Sequence, residues 1–197
     1  IHWTPRLSYP LRVFDPCAGW GGRLLGAMLA GAYYCGCEPR EKTWLGLERL
    51  AHSFLESFPE VPKPRIEKTP IEDFSLGDAQ HTFDLAITSP PYFDREQYAQ
   101  EETQSILRYH TRHDWLHGFL YPMLQKTHEA LKPEGVFLLN IANVDSFPSL
   151  EATALSVARE VGFLVDGDVL QYIRKGQDAQ NLTRACEPIF VLRKGTI

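Results

Sequence analysis

The stretch VFDPCAGWGGR at residues 13–23 decides the fold, because an apolar strand runs there into a glycine-rich turn and an apolar helix. Glycines at positions 19, 21 and 22 allow the backbone to turn tightly and to approach a ligand, and the first helical turn offers unpaired N–H groups. A leucine stands where the G-x-G-x-x-G dinucleotide fingerprint has its third glycine. The turn therefore predicts a ligand site but disfavours hydride-transfer chemistry.

Strand and helix patterns alternate along the rest of the chain. Strand patterns lie at residues 11–14, 33–37, 65–68, 83–88 and 136–141. Helix patterns lie at 23–30, 41–58, 115–131 and 150–161, and the chain closes with strand patterns at 163–173 and 188–193. This order predicts an α/β fold: a mostly parallel seven-stranded sheet, helices on both faces and a C-terminal antiparallel strand pair. Residues 1–197 are expected to form a single domain.

The composition is that of an ordinary globular protein, with 44% hydrophobic and 23% charged residues. The sequence has no apolar stretch of bilayer length and no secretory signal pattern, so we expect no membrane contact and a cytoplasmic location. Its four cysteines form no CxxC pair, so neither a disulfide nor a metal site is expected. The net charge of −5 does not favour nucleic-acid binding. Trp20, Trp44 and Trp115 are expected to pack in the core or between helices, and for Trp20 the alternative is a position close to the ligand of the glycine turn.

A second motif, Ser89-Pro90-Pro91-Tyr92, directly follows the apolar run at residues 83–88. Two prolines cannot continue a sheet, so the strand ends there and presents a polar group and an aromatic ring at its carboxyl end. Ligands of open α/β sheets bind at that edge. Glu38 stands at the end of the second predicted strand. Its separation from Asp15 along the sequence is typical of a carboxylate that accepts hydrogen bonds from ribose hydroxyls. These features predict a nucleoside-containing cofactor that faces a planar, amino-bearing substrate.

The two motifs resemble those of the class I S-adenosylmethionine-dependent methyltransferases, in particular the enzymes that methylate exocyclic amines of DNA bases. Asp15-Pro16-x-x-Gly19-x-Gly21-Gly22 is similar to their first cofactor motif, and Ser89-Pro90-Pro91-Tyr92 is similar to their catalytic motif. The similarity extends to the KPEG turn at residues 132–135 and to the ending EPIFVLRK at 187–194. The resemblance implies a Rossmann-like class I methyltransferase fold over most of the chain.

The resemblance also implies S-adenosylmethionine as the cofactor. Its methionine end would be lined by the first motif, that is by Asp15, Pro16, Gly19 and Gly21, and its ribose would be held by Glu38. The adenine would be flanked by residues after the third strand: Ile71, Glu72 and Asp73. Members with this motif order carry a further cofactor-contacting segment before the first strand; residues 2–10 supply a minimal version of it here, or it has been lost.

The resemblance assigns separate tasks to the residues of the catalytic motif. The exocyclic amine of a base is a poor nucleophile because its lone pair is delocalised into the ring. Acceptors at its two hydrogens, here Ser89 and the Pro90 carbonyl, would localise that lone pair toward the sulfonium methyl group. Pro91 would fix the backbone, and the ring of Tyr92 would stack on the extruded base, so that Tyr92→Phe is tolerated.

Serine in the first motif position, preceded by Thr88, resembles the cytosine N4 enzymes more than the adenine N6 enzymes. The expected activity is therefore site-specific methyl transfer to N4 of cytosine in DNA, with N6 of adenine second. A methyltransferase acting on RNA or on a protein glutamine, and a non-catalytic nucleic-acid-binding subunit of the same fold, stay open as alternatives. The intact catalytic motif argues against the non-catalytic subunit.

Two segments, residues 93–114 and 174–187, fit no regular element and are the candidates for substrate contact. The side chains expected to contact DNA are Phe93, Arg95, Glu96, Arg108, Arg112, Arg174, Lys175 and Arg184. No separate target-recognition domain is evident in the sequence. Recognition of the target is then expected from these loops, from residues before Ile1 or from a partner subunit.

Overall fold

The computed structural model describes residues 10–94, 105–173 and 186–195. Within these ranges seven strands form one sheet in the order β3-β2-β1-β4-β5-β7-β6. The strands are β1 (Arg12–Asp15), β2 (Tyr33–Cys37), β3 (Arg65–Glu67), β4 (Phe83–Thr88), β5 (Leu131–Asn140), β6 (Phe163–Ile173) and β7 (Cys186–Lys194). β1 to β5 are parallel, whereas β7 runs antiparallel between β5 and β6. The predicted fold class is confirmed.

Helices cover both faces of this sheet. They are α1 (Gly22–Leu29), α2 (Glu41–Ser57), α3 (Ser105–Arg108), α4 (Arg112–Trp115), α5 (Tyr121–Ala130) and α6 (Leu150–Val161). The helices predicted at 41–58 and 150–161 correspond closely to α2 and α6. In the part of the chain that the structure describes, no helix combines the length and the apolar character that a bilayer span needs.

The segment predicted to be irregular before residue 115 contains α3 and α4. α4 begins after Thr111, whose Oγ1 accepts a hydrogen bond from the N–H of Asp114 over 3.1 Å. A hydroxyl residue three positions before an acid is a helix-start signal, and the prediction of a loop overlooked it. The helix predicted at 115–131 is also divided, because a π-helical turn at Leu116–Leu120 separates α4 from α5.

Strand β5 begins earlier than the predicted residue 136. Leu131 already pairs with β4, and the register then shifts before Val136 pairs with the same strand. The KPEG turn is therefore an irregularity inside the strand, with Glu134 at a φ of 64°. Lys132 Nζ forms an ion pair with Asp84 Oδ1 over 2.6 Å and holds this irregularity against β4. A proline–glycine pair predicts a break in the pattern but does not distinguish a bulge from a loop.

Successive residues of the central strands point to opposite faces of the sheet. Val13 and Tyr34 pack with α1 and α2, whereas Phe14 and Cys35 belong to the larger cluster that includes α5 and α6. Because both faces are covered, the central parallel strands are apolar along most of their length. The polar side chains that carry chemistry lie at the carboxyl ends of these strands, along one edge of the sheet.

Candidate active site

A cavity of about 730 Å³ opens at the carboxyl ends of β1, β2 and β4. This volume lies in the range of small-molecule pockets, roughly 300–1,000 Å³. The predicted site residues in its wall are Pro16, Gly19, Glu38, Ile71, Glu72, Ser89 and Pro91. One cavity therefore brings together residues from both sequence motifs.

Asp15 lies beneath the cavity, outside the described residues of its wall. The side chain is fully buried, and Oδ2 accepts hydrogen bonds from Arg23 Nε over 2.7 Å and from the Tyr34 hydroxyl over 2.9 Å. Oδ1 accepts from Thr88 Oγ1 over 2.9 Å and from the Cys17 N–H over 3.3 Å. Burial acts to lower the pKa of Arg23, but Asp15 outweighs it and the pKa is raised. Asp15 thus supports the glycine turn, and direct contact with a cofactor stays a prediction.

The glycine turn has a backbone shape that side chains disfavour. Gly19 has a φ of +58° and lies in the cavity wall. Gly21 has a φ of +88°, and a Cβ there would come within 2.8 Å of Leu47 Cδ2 on α2. Arg23 Nη2 donates to the carbonyl of Cys17 and fixes the turn from below. Gly21 therefore allows the turn to pack on α2, whereas Gly19 borders the space that a ligand would fill.

Glu38 joins the two turns that form one side of the cavity. Its Oε2 accepts a hydrogen bond from the Gly19 N–H over 3.1 Å, and its Oε1 accepts from the Arg40 N–H over 2.9 Å. Burial raises the pKa of Glu38 and outweighs the two amides, which favour the charged form. Each carboxylate oxygen has further acceptor capacity, so Glu38 can also accept from hydroxyl donors in the cavity.

Glu72 places a buried carboxyl group at the cavity wall. Its side chain is 5% exposed, and Oε1 accepts a hydrogen bond from Arg108 Nη1 over 3.0 Å. Burial raises the pKa of Glu72, and the charge of Arg108 together with a hydrogen bond from the Tyr109 hydroxyl offsets part of this rise. A carboxylate has several acceptor positions, so Glu72 can also accept a hydrogen bond from an N–H donor of a ligand.

Arg108, predicted to contact DNA, lies against the residues predicted to flank adenine. Its Nη1 is 3.0 Å from Glu72 Oε1 and 2.9 Å from Asp73 Oδ2. Ile71 and Glu72 line the cavity, whereas Asp73 is half exposed and faces Arg108 outside the described wall. The structure therefore engages this guanidinium with two carboxyl groups beside the cavity, and its contact with DNA stays a prediction.

The Ser89-Pro90-Pro91-Tyr92 turn forms part of the cavity wall through Ser89 and Pro91, whereas Pro90 is buried. The side chain of Tyr92 is 3% exposed and belongs to the large core cluster. A ring packed in this way has no face open to a base. The predicted stacking of Tyr92 on an extruded base therefore does not fit the described geometry.

The hydroxyl of Tyr92 reaches polar groups at the edge of the cavity. It lies 3.3 Å from Ser89 Oγ, and it donates toward the Asn140 carbonyl over 3.2 Å and toward Glu187 Oε2 over 3.3 Å. Ser89, Asn140 and Glu187 all line the cavity. The hydroxyl rather than the ring of Tyr92 is thus the part that connects with the site.

Two further residues predicted to contact DNA lie in the described part of the chain. Phe93 is buried, and its ring packs edge-on against Trp115 with centroids 5.9 Å apart. The guanidinium of Arg112 lies over the ring of Phe147, 5.3 Å from its centroid. Phe93 is therefore a core residue in this structure, because its ring is enclosed by other aromatic rings. The remaining five predicted contacts lie outside the described residues: Arg95, Glu96, Arg174, Lys175 and Arg184.

Several residues of the cavity wall had no assigned role in the sequence. Trp20 is 75% exposed and lines the cavity, so it does not pack in the core, and its position is compatible with the alternative expectation that it approaches a bound ligand. Trp115 is fully buried as expected. Asn140 ends β5, and Glu187 lies near the start of the antiparallel β7. Both residues lie at the same edge of the sheet, because the antiparallel strand β7 starts beside the carboxyl end of β5. In the sequence, Asn140 and Glu187 are indicated only by being polar residues at the strand ends that meet at this edge.

Cys17 lies in the cavity wall, but its environment opposes thiolate chemistry. Burial, together with Asp15, raises the pKa of the thiol well above its ordinary value. A thiol held in the neutral form is a poor nucleophile. Residues 10–94, 105–173 and 186–195 contain no group of three or more histidine, cysteine or acidic side chains arranged to hold a metal ion. The expectation of no metal stays a prediction.

Solved structures with this arrangement of strands and helices are numerous. An S-adenosylmethionine-dependent methyltransferase from Mesorhizobium loti superimposes with a TM-score of 0.63 at 16% identity, over 94% of this chain and 91% of that one. The 1,6-didemethyltoxoflavin-N1-methyltransferase from Burkholderia thailandensis, solved with its substrate and S-adenosylhomocysteine, gives 0.60 at 16% identity, over 95% and 72%. The 4+2 cyclase SpnF gives 0.64 at 13% identity, over 97% and 78%. The chain therefore has the class I methyltransferase fold.

Identities this low show the fold alone. No protein-family model matches the sequence, and no curated protein matches it either. The presence of a cyclase among the similar structures illustrates that one fold carries more than one chemistry. Function has to be argued from the residues of the cavity.

Proposed function

We propose that this protein binds S-adenosylmethionine in the cavity and transfers its methyl group to the exocyclic amine of a DNA base, N4 of cytosine in preference to N6 of adenine. The observation that carries the proposal is the meeting of two motifs in one wall: the glycine turn with Glu38, and the proline turn with Ser89. The similar structures support the cofactor, since one of them was solved with S-adenosylhomocysteine.

The cavity fits this cofactor at three points. Gly19 allows close approach of a ligand to the turn, and Glu38 offers lone pairs to the ribose hydroxyls. Glu72 lines the cavity, and its carboxylate offers an acceptor to the adenine amine. The two carboxyl groups also suit a ligand with a positive charge. When bound, the cofactor supplies a methyl group on an electron-poor sulfonium.

The task left to the protein is to present an amine. The Ser89 hydroxyl, which lies in the cavity wall, accepts a hydrogen bond from one amine hydrogen, so that the nitrogen lone pair points along the line of attack. The Pro90 carbonyl, which the sequence assigns to the second hydrogen, belongs to a buried residue outside the described wall. A cofactor held in this cavity would supply the methyl group to the nitrogen that Ser89 presents: the new N–C bond would form as the S–C bond breaks, and sulfur would keep the electron pair of that bond. One hydrogen of the methylated nitrogen would then pass to solvent as a proton. No bond forms between protein and base.

Trp20 is the side chain that we assign to hold the base. It is a large aromatic residue, 75% exposed and located in the cavity wall, whereas Tyr92 is packed in the core. Aromatic side chains stack on bases that have left the helix. The preference for cytosine rests on the resemblance of Thr88-Ser89 to the cytosine N4 enzymes.

The other substrate classes differ in what the amine is attached to. Amines of RNA bases and of protein glutamine accept a methyl group by the same attack. The net charge of −5 is compatible with a protein substrate but favours neither RNA nor DNA. A non-catalytic subunit has no need of the Ser89-Pro90-Pro91-Tyr92 turn in the cavity wall, so the intact turn argues against it. These substrates are the alternative outcomes of the experiment.

Transfer of a radiolabelled methyl group to duplex DNA, single-stranded DNA, RNA and a glutamine peptide tests the proposal. We expect labelled DNA, with a lower rate in Ser89→Ala. Trp20→Ala should raise the KM for DNA, because one aromatic–base stack contributes about 1–3 kcal/mol. Phe58→Ala is the matched control, since Phe58 is an exposed aromatic residue outside the described wall. Label in RNA or peptide alone would replace DNA as the substrate, and label in none of them would contradict the proposal.

A further inference from the structure

We propose that the Tyr92 hydroxyl and the Glu187 carboxylate are positioning residues that set the direction of the Ser89 hydroxyl. The inference rests on the proposed function, since it concerns how Ser89 meets the amine of the substrate. It replaces the sequence-based expectation that Tyr92 acts through its ring, and it gives Glu187 a role.

Three strands meet at the Tyr92 hydroxyl. Ser89 follows β4, Asn140 ends β5, and Glu187 lies on β7. The oxygen of Tyr92 is within 3.2–3.3 Å of a polar atom of each of them. Because the side chain is 3% exposed, this hydroxyl is held among protein groups rather than in bulk water. The arrangement is a polar cluster in the wall of the cavity.

The number of available protons sets the direction of the hydrogen bonds in this cluster. The phenol has one proton to donate, and both the Asn140 carbonyl and the ionised Glu187 carboxylate can only accept. When the phenol donates to these groups, the hydrogen bond between Ser89 and Tyr92 requires Ser89 to be the donor. The Ser89 proton then points to Tyr92, and the lone pairs of Ser89 Oγ are left for the cavity.

The two acceptors of the Tyr92 hydroxyl are held in fixed positions. Asn140 Nδ2 donates to the Pro188 carbonyl over 2.9 Å, beside the backbone pair of Asn140 with Ile189. Glu187 precedes Pro188 on β7 and is therefore carried by a strand fixed to β5. A charged acceptor also strengthens the hydrogen bond that it receives. Glu187 is thus the group best suited to draw the Tyr92 proton away from Ser89.

The direction of the Ser89 hydroxyl decides what it does to an amine. As an acceptor, it binds an amine hydrogen and leaves the nitrogen lone pair free to attack. Turned around, it would donate to that lone pair and oppose the attack. The same orientation disfavours a base with a carbonyl oxygen at this position, since two acceptors would then face each other. The cluster therefore favours amino over oxo substrates.

Single-turnover kinetics of Tyr92→Phe and Glu187→Gln test this inference. We expect the methyl-transfer rate to fall about tenfold in each, the change that one hydrogen bond carries, with S-adenosylmethionine affinity unchanged. Glu187→Asp should recover part of the rate, since it restores the charge. Tyr33→Phe and Glu134→Gln are matched controls, because both residues lie outside the described wall. Full activity in folded Tyr92→Phe or Glu187→Gln overturns the inference.

A second measurement needs no substrate. The hydroxyl proton of Tyr92, identified by its loss in Tyr92→Phe, should give a slowly exchanging proton resonance that moves upfield in Glu187→Gln, because its acceptor loses the negative charge. A resonance that Glu187→Gln leaves in place overturns the inference, whatever the activity. If the resonance moves but the wild-type protein methylates no substrate, the hydrogen bonds that join Ser89, Tyr92 and Glu187 are supported, whereas the proposed function is wrong.

Discussion

Thr88 Oγ1 donates a hydrogen bond to Asp15 Oδ1 over 2.9 Å, and both side chains are almost completely buried. Thr88 ends β4 directly before Ser89, and Asp15 ends β1 at the start of the glycine turn. The bond therefore joins the two motifs beneath the cavity. It holds the turn that begins at Ser89 in a fixed position relative to the glycine turn.

Loss of this link should be measurable as lost stability. We expect Thr88→Val to lower the free energy of unfolding by about 1–3 kcal/mol, because the buried Asp15 carboxylate loses a donor. Urea denaturation measures the change. Thr127→Val is the matched control, since Thr127 is equally buried but donates to the Met123 carbonyl of its own helix. An equal loss in both variants would argue against a special role of the link.

Glu38→Ala should weaken S-adenosylmethionine binding by about 1.5–3 kcal/mol, because charge-assisted hydrogen bonds to the ribose are lost. Titration calorimetry gives the two affinities directly. Glu41→Ala serves as the control, since Glu41 follows in the same region but is exposed and pairs with Lys68 over 3.1 Å. Unchanged affinity in a folded Glu38→Ala protein would show that Glu38 does not bind the ribose.

Cofactor binding should release protons in mild acid. Burial raises the pKa of Glu38 and of Glu72 above the ordinary carboxyl value of 4.5, so both hold protons at pH values just above it. Donors on the ligand favour the charged carboxylates and lower both pKa values. Affinity therefore rises with pH through this window and levels off once both groups are ionised.

Calorimetric titration at about pH 5 in two buffers of different ionisation enthalpy counts the released protons. Glu38→Gln should reduce the count, because one of the two titrating groups is gone. Equal heats in both buffers for the wild-type protein would show that neither carboxyl group faces a donor of the cofactor.

Arg108→Ala should weaken cofactor binding, because the guanidinium pairs with Glu72. Without that charge, burial drives Glu72 toward its protonated form, which is a poorer acceptor for the adenine amine. We expect roughly a tenfold loss of S-adenosylmethionine affinity in calorimetry, with Arg112→Ala as the control. A variant that loses DNA affinity and keeps cofactor affinity would instead restore the sequence-based assignment of Arg108 to DNA.

The sheet could be predicted because its central strands are short apolar runs that end in polar or proline residues. The patterns at 33–37 and 83–88 correspond residue for residue to β2 and β4. Two prolines then place Ser89 at the carboxyl edge, and the end of the second strand places Glu38 at the same edge, in the wall of the same cavity. This part of the site follows from local sequence alone.

Contacts between distant segments could not be predicted in this way. Nothing local indicates that Arg108 pairs with Glu72, or that Tyr92 turns its ring into the core and its hydroxyl toward Glu187, because the packing of separate elements sets these contacts. The exposure of Trp20 could not be predicted from its residue type either. Tryptophan is highly buried on average, so its exposure becomes understandable only when the cavity beside it is known.

Nucleoside mass spectrometry of DNA incubated with the protein and methyl-deuterated S-adenosylmethionine tests most directly whether this cavity methylates the exocyclic amine of a DNA base. We expect deuterated N4-methylcytosine, lower yields in Ser89→Ala and no covalent complex between protein and DNA. Deuterated N6-methyladenine alone would correct the base and leave the mechanism in place. Label on carbon 5 of cytosine, or no labelled nucleoside from DNA while the protein binds the cofactor, would contradict the account.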